Sequence, residues 1–171
     1  MKKIRLDQLV FDLGLTESRE RAKTTIMSGL VFVDGQRADK PGMQVSPDAN
    51  VEVRGNAIPY VSRGGLKLEK ALKVFPIDVK DKICIDCGAS TGGFTDVLLK
   101  NGAKKVYSVD VGYGQLAWSL RQDERVVNME RTNIRYITNE QIPVKLDIAV
   151  MDLSFISIKL VLPAVCALLK D

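Results

Sequence analysis

The chain has 171 residues, 46% apolar and 27% charged, an ordinary composition for a soluble globular protein with room for one domain, or for a small domain and part of a larger one. Its 25 basic and 21 acidic side chains leave a formal charge of +4, and it has no histidine, which excludes histidine-based triads, histidine general bases and most zinc catalysis. The longest apolar stretch, 148–169, is interrupted by Asp152, Lys159 and Pro163 and does not read as a membrane span.

In chain order, Ile4, Leu6, Leu9, Val10 and Leu13 recur at helical spacing and predict a helix over 4–13, ended by Gly14. Thr16 is the expected N-cap of a second helix, 17–28, closed by Gly29. A strand at 30–33, a tight turn at Asp34-Gly35 and a returning strand at 36–38 follow. Turns at 40–42 and 46–48 lead to a short strand at 50–53. Residues 1–56 thus form a small α+β domain, and 57–63, which contain Pro59 and show no periodicity, form a linker.

A third helix is predicted over 64–75, capped by Ser62, with Leu68, Ala71, Leu72 and Phe75 as its apolar stripe. Arg63, Lys67 and Lys70 fall in line on a neighbouring stripe, a repulsive arrangement that an adjacent anion relieves. The charge distribution agrees. Residues 1–58 carry nine basic and eight acidic side chains, 59–82 carry six and three, and 83–171 carry ten and ten. The excess sits in a short stretch, which points to a polyanionic partner or to a solvated helix face.

Beyond residue 82, strands and helices alternate: strand 83–86, helix 93–100, strand 105–110, helix 113–121, a weak strand at 125–128, strand 146–151 and a helix from 158 to 170. Such alternation specifies an α/β fold with a mostly parallel sheet and helices on both faces, whose ligands sit beyond the carboxyl ends of the strands. Cys84 and Cys87 form a C-x-x-C within the first of these strands. Positions three apart in a strand face opposite sides, and no histidine or second pair completes a site, so no metal is expected. Three cysteines, an odd count, in a chain whose N-terminus lacks a secretory pattern point to reduced thiols and a cytoplasmic location.

The stretch ICIDCGASTGGF, 83–94, joins the first strand to its helix. Its small residues let a ligand approach the backbone. Asp110, ending the second strand 24 residues after Asp86, suits the two hydroxyls of a ribose. Two nucleoside ligands compete. A dinucleotide wants G-x-G-x-x-G and a diphosphate at the helix N-terminus, but Ser90 stands where the middle glycine belongs and Asp86 opposes a diphosphate. S-adenosylmethionine carries a sulfonium and an ammonium, both of which Asp86 attracts. The carboxylate therefore favours the methyl donor.

Two resemblances extend this reading. Ser18-Arg19-x-x-Ala22-Lys23-x-x-Ile26-x-x-Gly29-x-Val31-x-Val33-Asp34-Gly35, then Lys40-Pro41-Gly42, resembles the S4-like RNA-binding domain, which implies that Arg19, Arg21, Lys23, Arg37 and Lys40 contact RNA backbone. Asp86-x-Gly88-Ala89-x-x-Gly92-Gly93-Phe94 resembles the donor loop of FtsJ-like RNA 2'-O-methyltransferases. Ser62-Arg63-Gly64-Gly65-Leu66-Lys67-Leu68, Val109 to Ala117, Glu130-Arg131-Thr132-Asn133 and Asp152-Leu153-Ser154-Phe155-Ile156 are similar to their hemolysin A (TlyA-like) branch.

That resemblance implies a Rossmann-like fold and methyl transfer to ribose 2'-hydroxyls of ribosomal RNA, typically cytidine, with ribosomal RNA or ribosomal subunits as partners. Lys67 and Asp152 match the catalytic lysine and aspartate. Asp86, Gly88, Ala89, Ser90, Thr91, Gly92, Gly93, Phe94, Asp110, Val111 and Asn133 are the implied donor-binding residues, and Arg63 and Lys70 join the RNA-binding set. The family's second lysine and glutamate belong to strands beyond 158–170, so the domain at 64–171 is expected to lack its C-terminal strands. Three other readings stay open at this point: a non-catalytic RNA-binding protein, a hemolysin acting on membranes and, disfavoured by Asp86 and Ser90, a dinucleotide oxidoreductase.

Overall fold

The computed structural model describes residues 3–55 and 58–170; the expected boundary at 56–57 lies outside them. The chain forms two compact units, residues 1–63 and 64–171.

In the first unit, β1 (Ile4–Arg5) pairs antiparallel with β4 (Gln44–Val45), and β2 (Val31–Val33) lies between β3 (Gln36–Ala38) and β5 (Val51–Val53), antiparallel to both. The β1–β4 ladder claims the first two residues of the expected helix, so α1 runs only over Leu6–Asp12. Helix α2 spans Arg19–Met27 and is capped by Ser18, whose Oγ accepts from Arg21 N at 3.1 Å. Thr16 is not the cap; its hydroxyl donates to the Ser18 carbonyl instead. Asp34 (φ 49°) and Gly35 (φ 78°) both adopt left-handed backbone, as a two-residue hairpin turn requires. Leu6, Leu9, Val10, Ala22, Ile26 and Val31 close the core. Residues 58–63, expected as linker, belong to this unit, and Tyr60 is buried.

The second unit is a four-stranded parallel sheet in the order β8-β7-β6-β9, from β6 (Ile83–Cys87), β7 (Lys105–Val109), β8 (Val126–Met129) and β9 (Ile148–Met151). The order reverses at β6, which places the switch point beside the end of that strand. Strand alternation divides the side chains. Ile85, Cys87, Tyr107 and Val109 pack against Val161, Val165 and Leu168 of α6 (Ile158–Leu168). The opposite face carries Asp86 and Ser108 toward α4 (Gly93–Lys100), against which α3 (Gly65–Val74) packs. Helix α3 begins after Gly64 without a side-chain cap, so Ser62 does not cap it.

The expected helix 113–121 shrinks to α5, Trp118–Arg121. Gly114 (φ 71°) interrupts it, and the N–H groups of Gly112 and Gly114, which a helix starting at 113 leaves without a helical acceptor, go to the carboxylates of Asp110 (2.7 Å) and Glu130 (2.9 Å). A short 3-10 turn, Ile134–Tyr136, follows β8.

Candidate active site at the strand ends

The residues that follow all four parallel strands meet around a cavity of about 510 Å³, within the range of small-ligand sites. Gly88 and Ser90 come from the loop after β6, Asp110 and Val111 from that after β7, Thr132 and Asn133 from that after β8, and Asp152 from that after β9.

At Gly88 (φ 84°) the loop after β6 passes close to the backbone of the loop after β9. A Cβ there would lie 3.1 Å from the Asp152 carbonyl oxygen and 3.0 Å from Leu153 Cδ2. Gly92 (φ 95°) leaves space that the methyl groups of Leu116 and Leu120 fill. Ala89, Thr91, Gly92, Gly93 and Phe94 do not line the cavity; they complete the turn and open α4 beneath it.

Asp110 joins two loops. Its Oδ2 accepts from Ser90 N and its Oδ1 from Gly112 N, both at 2.7 Å. A carboxylate oxygen takes two donors, so each keeps one acceptor site.

Asp86 does not face the cavity. It lies inside β6, on the α4 side, and is 1% exposed. Its Oδ2 accepts from Thr95 N at 2.9 Å and from Thr95 Oγ1 at 2.8 Å. Because Thr95 spends its proton on Asp86, the Ser108 hydroxyl, 2.7 Å away, donates to Thr95. Burial pushes the Asp86 carboxyl up to about 6, against the downward pull of Thr95, with the neighbouring charges of Asp110 and Asp152 adding to the rise. The carboxylate therefore caps α4 from within rather than attracting a ligand directly.

Lys67, in the first turn of α3, donates from Nζ to Asp152 Oδ2 at 2.7 Å. Asp152 is not the cap of α6; that position is Ser157. Lys70 lies exposed on the same helix.

In the first unit the expected RNA-binding side chains are divided between structure and surface. Arg19, with Arg5, pairs with the fully buried Asp7. Burial pushes that carboxyl up, and the two guanidinium groups outweigh it and hold it below the usual range. Arg21 donates to the Ile58 carbonyl at 2.8 Å. The Arg37 guanidinium lies directly over Gly29, where no side chain stands in its way. Lys23, Lys40 and Arg63 have no ion-pair partner among the described residues.

The chain has known relatives. The FtsJ-like methyltransferase family model matches residues 60–170. The chain belongs to that family. An S4 domain precedes it, matched over residues 4–51. A Bacillus subtilis protein provisionally named rRNA methyltransferase YqxC is 59% identical over 98% of this chain and 60% of its own length. The 16S/23S rRNA (cytidine-2'-O)-methyltransferase TlyA of Mycobacterium tuberculosis is 50% identical over 95% of this chain and 61% of its own. The solved structure of a protein provisionally named a hemolysin, from Streptococcus thermophilus, shares 52% identity and a TM-score of 0.70, covering 100% of this chain and 63% of that one. The chain thus spans about six-tenths of the length of these relatives. Among the described residues, no helix of this FtsJ-like chain is long and apolar enough to cross a membrane.

Several lining residues had no role assigned from sequence. Leu153, Ser154, Phe155 and Ile156 all face the cavity, and Phe155 (φ 65°) projects fully into solvent at its rim. Gln115 meets Ser90 Oγ at 3.3 Å. The signal available for the first four was their place immediately after the fourth strand, where ligand-edge loops begin.

Proposed function

We propose that the protein is an S-adenosylmethionine-dependent RNA 2'-O-methyltransferase acting on ribosomal RNA, at cytidine riboses. The observation that carries this reading is the Lys67–Asp152 pair beside the strand-end cavity. The S4 domain and the names of the longer relatives support ribosomal RNA as partner.

The residues present fit the methyl donor. Gly88 leaves bare backbone, Asp110 keeps acceptor sites for vicinal ribose hydroxyls, and Val111, Ile134 and Leu153 offer apolar walls to a purine. They fit a dinucleotide poorly. A diphosphate needs the free N–H groups of a helix N-terminus, and at α4 the Asp86 carboxylate already takes the Thr95 N–H from inside.

S-adenosylmethionine, when bound, supplies a methyl group already activated by its sulfonium. The chain must align a ribose hydroxyl, a poor nucleophile, and receive one proton. The Lys67 amine takes or polarises the hydroxyl proton, and Asp152, which accepts from Nζ, orients that amine. Arg21, Lys23, Arg37, Lys40, Arg63 and Lys70 hold RNA phosphates, which fixes position without reading sequence.

Isothermal titration of this chain with S-adenosylmethionine, and separately with NAD, tests the reading. Saturable binding of the methyl donor with none of NAD is expected; the reverse pattern overturns it.

A further inference from the structure

Two loops bordering the cavity carry exposed arginines set over exposed tyrosines. The Arg131 guanidinium lies 4.2 Å from the centroid of the Tyr113 ring, and that of Arg135 lies 5.4 Å from the centroid of Tyr136. The rings are 68% and 65% exposed, so packing does not account for their position. Neither arginine has a carboxylate partner among the described residues.

The first pair is built at a cost in backbone strain. Arg131 adopts φ 52°, a left-handed conformation that residues other than glycine avoid. It is held there by its N–H to the Gly112 carbonyl at 3.0 Å and by Thr132 N to the Asp110 carbonyl at 2.9 Å. Glu130 fastens the facing loop by accepting from Gly114 N and pairing with Arg121, whose Nε donates to the Leu116 carbonyl. In the second pair, Asn133 Oδ1 accepts from Arg135 N and caps the turn that carries Tyr136. Between the two pairs run Thr132, Asn133 and Ile134, which line the cavity.

We propose that Tyr113–Arg131 and Arg135–Tyr136 form a stacking platform for unpaired RNA nucleotides flanking the one presented to the cavity. This rests on the RNA-methyltransferase reading and adds to it the form of the substrate. Every base has a face that stacks on an aromatic ring, and a guanidinium beside the ring answers the adjoining phosphate. In a duplex those faces are occupied by neighbouring pairs. The platform therefore selects single-stranded RNA over duplex and tolerates any sequence.

Fluorescence anisotropy with a fluorescein-labelled 12-nucleotide single strand and a 12-base-pair duplex tests this on the wild-type chain, Tyr113→Ala/Tyr136→Ala and Tyr113→Phe/Tyr136→Phe. The alanine pair is expected to weaken single-strand binding at least tenfold and to leave duplex binding unchanged. The phenylalanine pair, which keeps both rings, is expected to bind like wild type, and titration with S-adenosylmethionine checks that every variant remains folded. Undiminished single-strand binding by the alanine pair overturns the platform alone. A wild-type chain that binds the methyl donor but neither RNA overturns the RNA reading with it. Arg135→Glu provides a second variant should the alanine pair fail to fold, with the same tenfold loss expected and wild-type affinity overturning the platform.

Discussion

Lys67 Nζ and Asp152 Oδ2 stand 2.7 Å apart, joining the first turn of α3 to the loop after β9 across 85 positions of sequence. The two side chains are 66% and 43% exposed, and pairs that exposed contribute only about 0–1 kcal/mol to stability. The pair therefore contributes little to folding. Lys67→Ala is expected to lower the unfolding free energy by less than about 1 kcal/mol and to leave donor affinity within a few-fold of wild type. Radiolabelled methyl transfer to ribosomal RNA, on a chain active in that assay, should be lost. Normal turnover by the variant removes Lys67 from the mechanism.

Gly88 and Gly114 both hold left-handed backbone, at φ 84° and 71°, but their surroundings differ. A Cβ at Gly114 meets nothing within 4 Å, whereas one at Gly88 meets the Asp152 backbone. Gly114→Ala should cost only the conformational strain, about 1 kcal/mol. Gly88→Ala should cost that and displace the loop bearing Asp152, weakening S-adenosylmethionine binding at least tenfold. Urea unfolding and calorimetry separate the two effects. Equal donor affinity in both variants shows that the loop is not the ligand's cradle.

Much of this was legible in sequence where period and punctuation agreed. Helix 93–100 matched its expected bounds, and β6 and β7 fell within a residue of theirs, because an apolar run bounded by small residues has few other readings. Helix 113–121 failed at its start because Gly114 turns left-handed (φ 71°) where Glu130, sixteen residues on, accepts its N–H, and that contact is decided in three dimensions. Asp86 was found but misplaced. Strand alternation puts Cys84 and Asp86 on one face and Ile85 and Cys87 on the other, and a side chain within a strand looks at a helix, not past the strand's end. The Arg–Tyr pairs carry no period at all; the first depends on the left-handed turn at Arg131 and the second on the turn that Asn133 caps.

The cysteines differ sharply in environment. Cys84 and Cys87 are buried free thiols, pushed up to about 12 by burial, with Asp147 adding to the rise at Cys84 and Asp86 at Cys87. Cys166 is exposed on α6. Thiolate is the reactive form, so titration with a chromogenic disulfide at pH 8 should show one fast thiol, and three only in denaturant. Cys166→Ser should abolish the fast phase. Two fast thiols in the native protein contradict the packing of β6.

Asp86 gives the fold a defined response to acid. Its carboxyl sits at about 6 in the folded protein against an ordinary 3.8, with burial as the largest cause. Between those values the folded chain holds a proton that the unfolded chain releases. The contribution is therefore fully present below about pH 4, declines as pH rises and is lost above about 6. Asp86→Asn removes the titration and keeps one acceptor oxygen for the Thr95 N–H. The unfolding free energy of wild type minus that of the variant should accordingly fall between pH 4 and pH 7, by on the order of 2–3 kcal/mol. Urea titrations of both proteins at pH 4, 5, 6 and 7 measure it. A difference that stays flat, or that grows with pH, means that Asp86 ionises as an ordinary carboxylate and does not cap α4 as a buried one.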